Sequence, residues 1–219
     1  PPSGGENLFA RNFGMTSEPQ FLLAFLKRAQ RNRLEIDSES TWWREHFFAF
    51  VDACPFFTMA SIGFDASVVH EISKRRSGTI GHLGYVAPTL RVLKAHRSPQ
   101  LTATVDGQPW LKDQRGYLII ANTPQYALRV PWVPEASSTA PNLTARFLPY
   151  ETGFDFIKLA LSLKLGGKIN QDIQISGQLF EIAAAVPKSE YAVQADGDFV
   201  SQLPCRIRRA KDSLRIITF

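Results

Sequence analysis

Residues 56–72 are FFTMASIGFDASVVHEI, and the hydrophobic pattern of this stretch changes at Gly63. The part before Gly63 is rich in aromatic and apolar residues, as is typical of a strand. The part that follows has the pattern of a helix, which we place over residues 67–75. The stretch therefore predicts a strand that passes directly into a helix, with Gly63 and Asp65 at the junction.

Asp65 stands between the predicted strand and helix, where two roles are open to its carboxylate. It can cap the helix, because Asp side chains accept hydrogen bonds from the first N–H groups of a helix. It can also point into a functional site. The spacing alone favours the capping role.

The rest of the chain alternates between short helices and many strands. Asp106-Gly107 is a strong hairpin signal. Further helices are predicted over residues 8–13, from Pro19 onward after an N-cap at Ser17, over residues 83–96 and over residues 154–165. Strands are predicted within residues 33–43, 46–53 and 56–64, and later in YLIIAN, LTARFLPY, IQISGQLFEIAAAV, YAVQADG, CRIRRA and LRIITF. Many strands with few helices predict an α+β fold, which we expect to be a β-sandwich with peripheral helices.

Composition limits the class of protein. A chain of 219 residues with 44% hydrophobic residues can bury a sizeable core. No run approaches the ~18 uncharged apolar residues of a membrane-spanning helix, because Asp52 interrupts the richest stretch. Cys54 and Cys205 stand far apart, which disfavours a disulfide framework or a zinc site. With no signal-peptide pattern either, we expect a cytoplasmic protein.

The net charge of +5 permits an anionic partner such as nucleic acid, a nucleotide or an acidic membrane. The Lys and Arg clusters have no zinc finger, Arg-rich arm or RNP-like strand beside them, so nucleic acid is not expected as a partner. Four histidines lack metal-ligand spacing, and no G-x-S-x-G segment is present. Metallohydrolase and serine hydrolase functions therefore have little support.

Two acidic residues, Asp196 and Asp198, flank Gly197 in the segment QADGDF. Both are typical turn formers, and the pattern alone favours that role. Two acids at the end of a strand also supply what a hydroxyl-activating base needs, because a nearby carboxylate can take the proton of an alcohol during phosphoryl transfer.

Five segments, in this order, resemble the diacylglycerol kinase and related bacterial lipid kinase family: PPSGGENLFARNFGM, FFTMASIGFDASVVHEI, HLGYVAPTLRVLKAH, YLIIANTPQYALRVPWVPEA, and VQADGDF followed by PCRIRRAKDSLRIITF. No single segment is specific, and it is their shared order that carries the resemblance. The resemblance implies an N-terminal α/β nucleotide-binding domain, a C-terminal β-sandwich and an active site in the cleft between them.

The match begins near the end of the family's nucleotide-binding domain. We therefore expect residues 1–38 to be a helical remnant of that domain, and residues 39–219 to be the β-rich C-terminal domain. The resemblance implies that Gly4, Gly5, Glu6 and Asn7 line one side of a nucleotide site, with Gly5 at the family's threonine position. ATP and Mg²⁺ are the cofactors implied for the full-length protein. None is expected bound to this chain.

The resemblance also assigns the acids. Asp65 matches the acid of the family's GFDA segment, as an active-site or structural group. Asp198 falls on the glutamate of its DGE segment, the proton acceptor, and is one methylene shorter. Asp196 then shapes the turn or orients its neighbour. Members of the family often hold a structural magnesium ion in an acidic stretch after the segment that matches VPEA. This chain has SSTAPNL there, so we expect no magnesium near residues 137–143.

The implied function is transfer of the ATP γ-phosphoryl group to a diacylglycerol-like lipid hydroxyl. The alternative is a non-catalytic module that binds a lipid or a protein partner, which the changes at Gly5 and Asp198 favour. The implied partners are a lipid substrate at a membrane surface and the missing nucleotide-binding domain, and an oligomer stays open. The segment GFDFIKLALSLKLGGK suits a core helix better than an interfacial one. Its Lys164 and Lys168 still predict weak, salt-sensitive binding to acidic vesicles.

Overall fold

The structure is a computed structural model that describes residues 8–15, 18–31, 43–74, 86–126, 129–186 and 191–217. The predicted nucleotide-site residues Gly4, Gly5, Glu6 and Asn7 lie outside these ranges, as does most of the strand predicted within residues 33–43.

The described residues form five helices and twelve strands. The helices are α1 (Leu8–Asn12), α2 (Pro19–Arg31), α3 (Phe64–Ser73), α4 (Val86–Ala95) and α5 (Gly153–Lys164). The strands are β1 (Trp43–Val51), β2 (Cys54–Phe56), β3 (Met59–Ile62), β4 (Gln100–Val105), β5 (Gln108–Arg115), β6 (Tyr117–Ala121), β7 (Leu143–Leu148), β8 (Ile173–Gly177), β9 (Leu179–Ala184), β10 (Ala192–Ala195), β11 (Asp198–Gln202) and β12 (Cys205–Ile217).

The strands form two antiparallel sheets of six strands each. The first sheet has the order β2-β1-β12-β9-β4-β5, and the second has the order β11-β10-β3-β6-β7-β8. The main core lies between the sheets, where Val51 and Ile207 of the first meet Ile62 and Ile120 of the second. The predicted α+β sandwich is therefore confirmed.

The second sheet is covered on both faces, and its sequence reflects this. Its outer face packs on α5 through Tyr117, Ile119 and Leu159, and α3 packs on the edge strand β11 and on the next two strands, β10 and β3. Every residue of β3, β6, β7 and β10 is accordingly buried. Strand β4 of the first sheet instead alternates between buried and half-buried residues, as expected for a sheet that faces solvent on one side.

Local signals located most elements. The Asp106-Gly107 pair joins β4 to β5, with φ angles of 50° and 79° that suit a two-residue hairpin. Some segments differ from the prediction. Helix α3 begins at Phe64, three residues before the predicted start at residue 67. IQISGQLFEIAAAV makes two strands in different sheets, β8 and β9, because the chain leaves the second sheet at Gln178. CRIRRA and LRIITF join into the single long strand β12.

Helix α5 begins and ends within one residue of its predicted bounds. Thr152 caps it, since its hydroxyl accepts from the Asp155 N–H while the Asp155 carboxylate accepts from the Thr152 N–H. Among the described residues, no helix combines the length and the apolar character that crossing a membrane requires. The proposed division into residues 1–38 and 39–219 stays a prediction.

Candidate functional site

The acids singled out in the sequence lie where the hairpin between β10 and β11 meets helix α3, whose first turn contains Asp65. Ala195 pairs with Asp198 across the hairpin, so Asp196 and Gly197 form a two-residue turn. Both adopt left-handed backbone conformations, with φ angles of 51° and 91°. Asp tolerates this conformation and Gly prefers it, which explains why an Asp-Gly pair occupies the turn.

The Asp196 carboxylate fastens this turn to the chain between β2 and β3. One oxygen accepts from the Phe57 N–H at 2.6 Å. The other accepts from the Thr58 N–H at 2.9 Å, the Thr58 hydroxyl at 2.5 Å and the Met59 N–H at 3.1 Å. The Asp196 N–H donates in turn to the Met59 carbonyl. Asp196 therefore holds the turn in place, and its lone pairs are used inside the protein.

Gln194 fastens the same turn from its other side. Its side-chain carbonyl accepts from the Gly197 N–H at 2.9 Å, which orients the amide. Its amide nitrogen then donates to the Ser61 hydroxyl at 2.7 Å and to the Asp65 carboxylate at 3.2 Å. Ser61 itself donates to the same carboxylate oxygen at 2.6 Å. A continuous chain of hydrogen bonds therefore runs from Asp65 on α3 to the turn beside Asp198.

Asp65 is not the N-cap of α3. Gly63 occupies that position without a side-chain cap, and Asp65 lies in the first turn of the helix, where its carboxylate accepts from the Ala66 N–H. Burial raises the pKa of Asp65, while hydrogen bonds from Ser61 and Gln194 oppose that rise. An acid in the first helical turn also interacts favourably with the helix dipole.

Gly63 lets an aromatic ring approach the backbone at this junction. A Cβ at Gly63 would stand 2.2 Å from Cδ2 of Tyr117, and the φ of 141° also favours glycine. The Tyr117 hydroxyl is buried close enough for the Asp65 charge to raise its pKa, although burial is the larger cause. This hydroxyl has no hydrogen-bond partner of good geometry in the described part of the chain.

Asp198 is the first residue of β11 and is exposed. The next residue, Phe199, stacks on His70 of α3 with the ring centroids 4.4 Å apart. The backbone on both sides of Asp198 is thus fixed, by the turn before it and by the helix after it. Asp198 presents its carboxylate at the surface from a rigid support.

The structure brings Asp65, Asp196 and Asp198 into one hydrogen-bonded region. Sequence reasoning missed Ser61 and Gln194, which complete it. The sequence contains a signal for both, because each is a polar residue inside an otherwise apolar strand. The structure shows that both are fully buried. Buried polar groups are satisfied by partners, so such residues mark internal networks.

The loop of residues 137–143 does not fit magnesium. Its segment contains no carboxylate. Two of its backbone oxygens, those of Ser138 and Ala140, instead accept from the guanidinium of Arg209, which also donates to the side-chain carbonyl of Asn122. A divalent cation would meet this positive charge, and Mg²⁺ prefers carboxylate and water oxygens. Within the described ranges, no group of three or more His, Cys, Asp or Glu residues could hold a metal.

Comparison with known protein families gives a match over most of the chain. A model described as the YegS C-terminal NAD kinase beta sandwich-like domain matches residues 58–218. No curated protein sequence matches the chain.

Solved structures share the fold. One is a protein of Bacillus anthracis str. Sterne described as a candidate diacylglycerol kinase, with 18% identity, a TM-score of 0.63, and coverage of 95% of this chain and 64% of that chain. A second structure with the same description has 19% identity, a TM-score of 0.65, and coverage of 100% and 68%. A third, a diacylglycerol kinase of the same organism, has 18% identity, a TM-score of 0.60, and coverage of 95% and 64%. The chain thus spans about two thirds of these proteins, and identities this low establish the fold alone.

Proposed function

Because the chain belongs to the YegS C-terminal NAD kinase beta sandwich-like domain family, whose fold it shares with the diacylglycerol kinases above, we propose that it is the acceptor-side part of a lipid kinase. The reaction is transfer of the γ-phosphoryl group of ATP to the hydroxyl of a diacylglycerol-like lipid. Fold alone does not carry this proposal, since one fold hosts many functions. The observation that carries it is that the hydrogen-bonded turn before Asp198 and the contact of Phe199 with α3 hold the backbone of Asp198 in place.

Asp198 acts as the proton acceptor in this proposal. Its carboxylate takes the proton of the lipid hydroxyl as the hydroxyl oxygen bonds to phosphorus and the bond from phosphorus to the leaving oxygen of ADP breaks. ATP, when bound, supplies the phosphoryl group, and its Mg²⁺ neutralises the developing charge. The predicted nucleotide-site residues Gly4, Gly5, Glu6 and Asn7 lie outside the described ranges.

Asp196 and Gln194 are positioning residues in this proposal. Their hydrogen bonds hold the turn from two sides, so the backbone of Asp198 keeps its position relative to α3. Positioning of this kind matters because a misplacement of ~1 Å can lower a rate by on the order of a hundredfold. The Asp65 carboxyl extends the support into the helix through Ser61 and Gln194.

A second candidate is a non-catalytic lipid-binding or partner-binding module of the same family. The residue at the base position favours it, because Asp198 is one methylene shorter than the glutamate that the resemblance implies. Since the turn beside Asp198 is held rigidly, the backbone has little freedom to make up that missing reach. The two candidates differ in whether the carboxylate of Asp198 is needed for any activity.

The test is Asp198→Asn in the complete gene product, assayed with ATP, Mg²⁺ and diacylglycerol in mixed vesicles. Asn keeps the size of the side chain but cannot accept the proton, so we expect kcat to fall by a factor of ~10² to 10⁴ with an unchanged melting temperature. Asp198→Glu restores the implied reach and should retain or raise kcat.

The matched control is Asp212→Asn, which alters another acid on the exposed side of the sandwich and should leave kcat unchanged. Full activity in Asp198→Asn would contradict the role of Asp198 as base. A complete protein that transfers no phosphoryl group to any lipid tested would favour the module.

A further inference from the structure

Helix α5 carries a row of exposed apolar side chains. Phe154, Ile157 and Leu161 of the helix and Leu165 just after it are 53%, 39%, 60% and 79% exposed. Their spacing of three or four residues places all four on one face of the helix. We call this row the outer ridge of α5.

The outer ridge is additional to the face that α5 buries. Leu159 and Leu163 lie in the core on the outer face of the second sheet, and Phe156 stacks on Trp132 with ring centroids 4.8 Å apart. The helix is thus apolar on two opposite faces, whereas a surface helix ordinarily has one apolar and one polar face. Packing within the sandwich explains the inner face and leaves the outer ridge unexplained.

The charges beside the outer ridge are positive. Lys158 and Lys164 are exposed on the same helix, and Lys168 follows its end. Residues 156–168 contain no acidic residue. The one acid of the helix, Asp155, is engaged with the N–H and hydroxyl of Thr152, which lowers its pKa. The outward face of α5 therefore combines apolar side chains with cationic flanks.

We propose that the outer ridge of α5 binds the surface of an anionic lipid bilayer. The helix lies in the plane of the membrane, with its four apolar side chains ~5–10 Å into the boundary between headgroups and acyl chains. Lys158 and Lys164 reach the phosphate groups from the flanks, because long basic side chains keep their ammonium groups in the polar layer.

A bilayer fits the outer ridge better than a protein does. A stable protein interface uses roughly 800 Å² from each partner, and a ridge of four side chains on one convex helix is small beside this. A membrane requires no matching groove. Helix α4 packs against Gly153 of α5 through Leu93. It also exposes Val86 and Leu90, which offer further apolar surface beside α5.

This inference deepens the proposed function, because a lipid kinase must meet its acceptor at a membrane. It names the face that docks, and binding can be measured without phosphoryl transfer. A failure of the kinase assay with intact vesicle binding would remove the proposed reaction and leave the docking face standing.

The experiment is sedimentation of the 219-residue chain with phosphatidylcholine vesicles that contain or lack phosphatidylglycerol. Binding is expected to require phosphatidylglycerol and to weaken as salt is raised. Leu161→Ser is expected to lower the partition coefficient at least tenfold. Leu23→Ser is the matched control, since Leu23 is a helical leucine of similar exposure on α2, 56% against 60%.

A second pair of variants tests the charges. The double variant Lys158→Gln/Lys164→Gln is expected to bind vesicles with phosphatidylglycerol more weakly than the double variant Lys112→Gln/Lys211→Gln. The second variant is the control, because it lowers the net charge by the same amount at two lysines of the first sheet. Equal losses in the two pairs, wild-type binding by Leu161→Ser, or no vesicle binding by the unmodified chain would each overturn the proposal. So would a dimer in solution that Leu161→Ser dissociates while vesicle binding is absent.

Discussion

Single aspartates hold several strand connections of this sandwich together. Asp52, Asp106 and Asp196 all have φ between 50° and 52°. Each carboxylate accepts from backbone N–H groups of another strand or turn: Asp52 from Arg206, Asp106 from Leu179, and Asp196 from residues 57–59. Asp suits these positions because it tolerates the left-handed conformation and its short side chain reaches nearby N–H groups. In the segment QADGDF, Asp196 has this role.

Asp196→Asn is expected to lower stability by about 1–3 kcal/mol. Both oxygens of the Asp196 carboxylate accept from backbone N–H groups. In Asn, an N–H₂ donor replaces one of these oxygens, so at least one backbone N–H loses its acceptor. The measurement is urea unfolding of the chain. Asp198→Asn, two residues away, should unfold at the same urea concentration as the parent. Equal destabilisation by both variants would mean that Asp196 has no special structural role.

Strand β12 shows how one element joins both sheets. Arg209 of this strand is buried and donates to Asn122, which follows β6 of the second sheet, and to the carbonyls of Ser138 and Ala140. Asn122 donates in turn to the carbonyls of Phe47 and Phe57. Burial lowers the pKa of Arg209 to about 10, so it stays charged at neutral pH. The positive charge of a side chain thus organises the loop where the resemblance implies a metal in related proteins.

Arg209→Met is expected to destabilise the chain by about 3 kcal/mol, because the buried carbonyls lose their donors while the apolar volume is kept. The neighbouring Arg208 is exposed and lies over the Phe50 ring at 4.1 Å, so Arg208→Met should cost less than about 1 kcal/mol. Thermal unfolding compares the two. A melting temperature of the parent that rises with magnesium chloride, beyond a matched change in ionic strength, would contradict the guanidinium interpretation of this loop.

At the scale of the whole molecule, two neutral histidines are buried in two different parts of the sandwich. His46 of β1 lies among Phe9, Phe13 and Phe57, and His96 follows α4 beside Phe64. Burial is the main cause that lowers the pKa of each to about 4. Protonation of either imidazole therefore competes with the packing that surrounds it.

Stability is expected to fall as the pH is lowered from 7 to 5. In this range the unfolded chain binds protons at both histidines, with an ordinary pKa near 6.5, and the folded chain does not. Each histidine then costs about 1–2 kcal/mol at pH 5. Urea unfolding from pH 5 to pH 8 measures this, and His96→Gln should make the dependence of stability on pH shallower. A slope that His96→Gln leaves intact would contradict the burial of a neutral His96.

The sequence by itself determined the order and type of most elements, the α+β class and the family resemblance. These rest on local chemistry, such as the Asp106-Gly107 turn and the change of pattern at Gly63. It also singled out Asp65, Asp196 and Asp198, and the resemblance assigned Asp196 to the turn and Asp198 to the position of the proton acceptor. Only the tertiary structure decided that Asp196 bonds to Thr58, 138 positions away in the chain, that Gln194 connects Asp65 to the turn, and that α5 turns four apolar side chains outward. The physical reason is that the packing of sheets and helices decides which residues distant in sequence form hydrogen bonds. It also decides which apolar face of a helix is buried. A one-dimensional pattern carries no information on that packing.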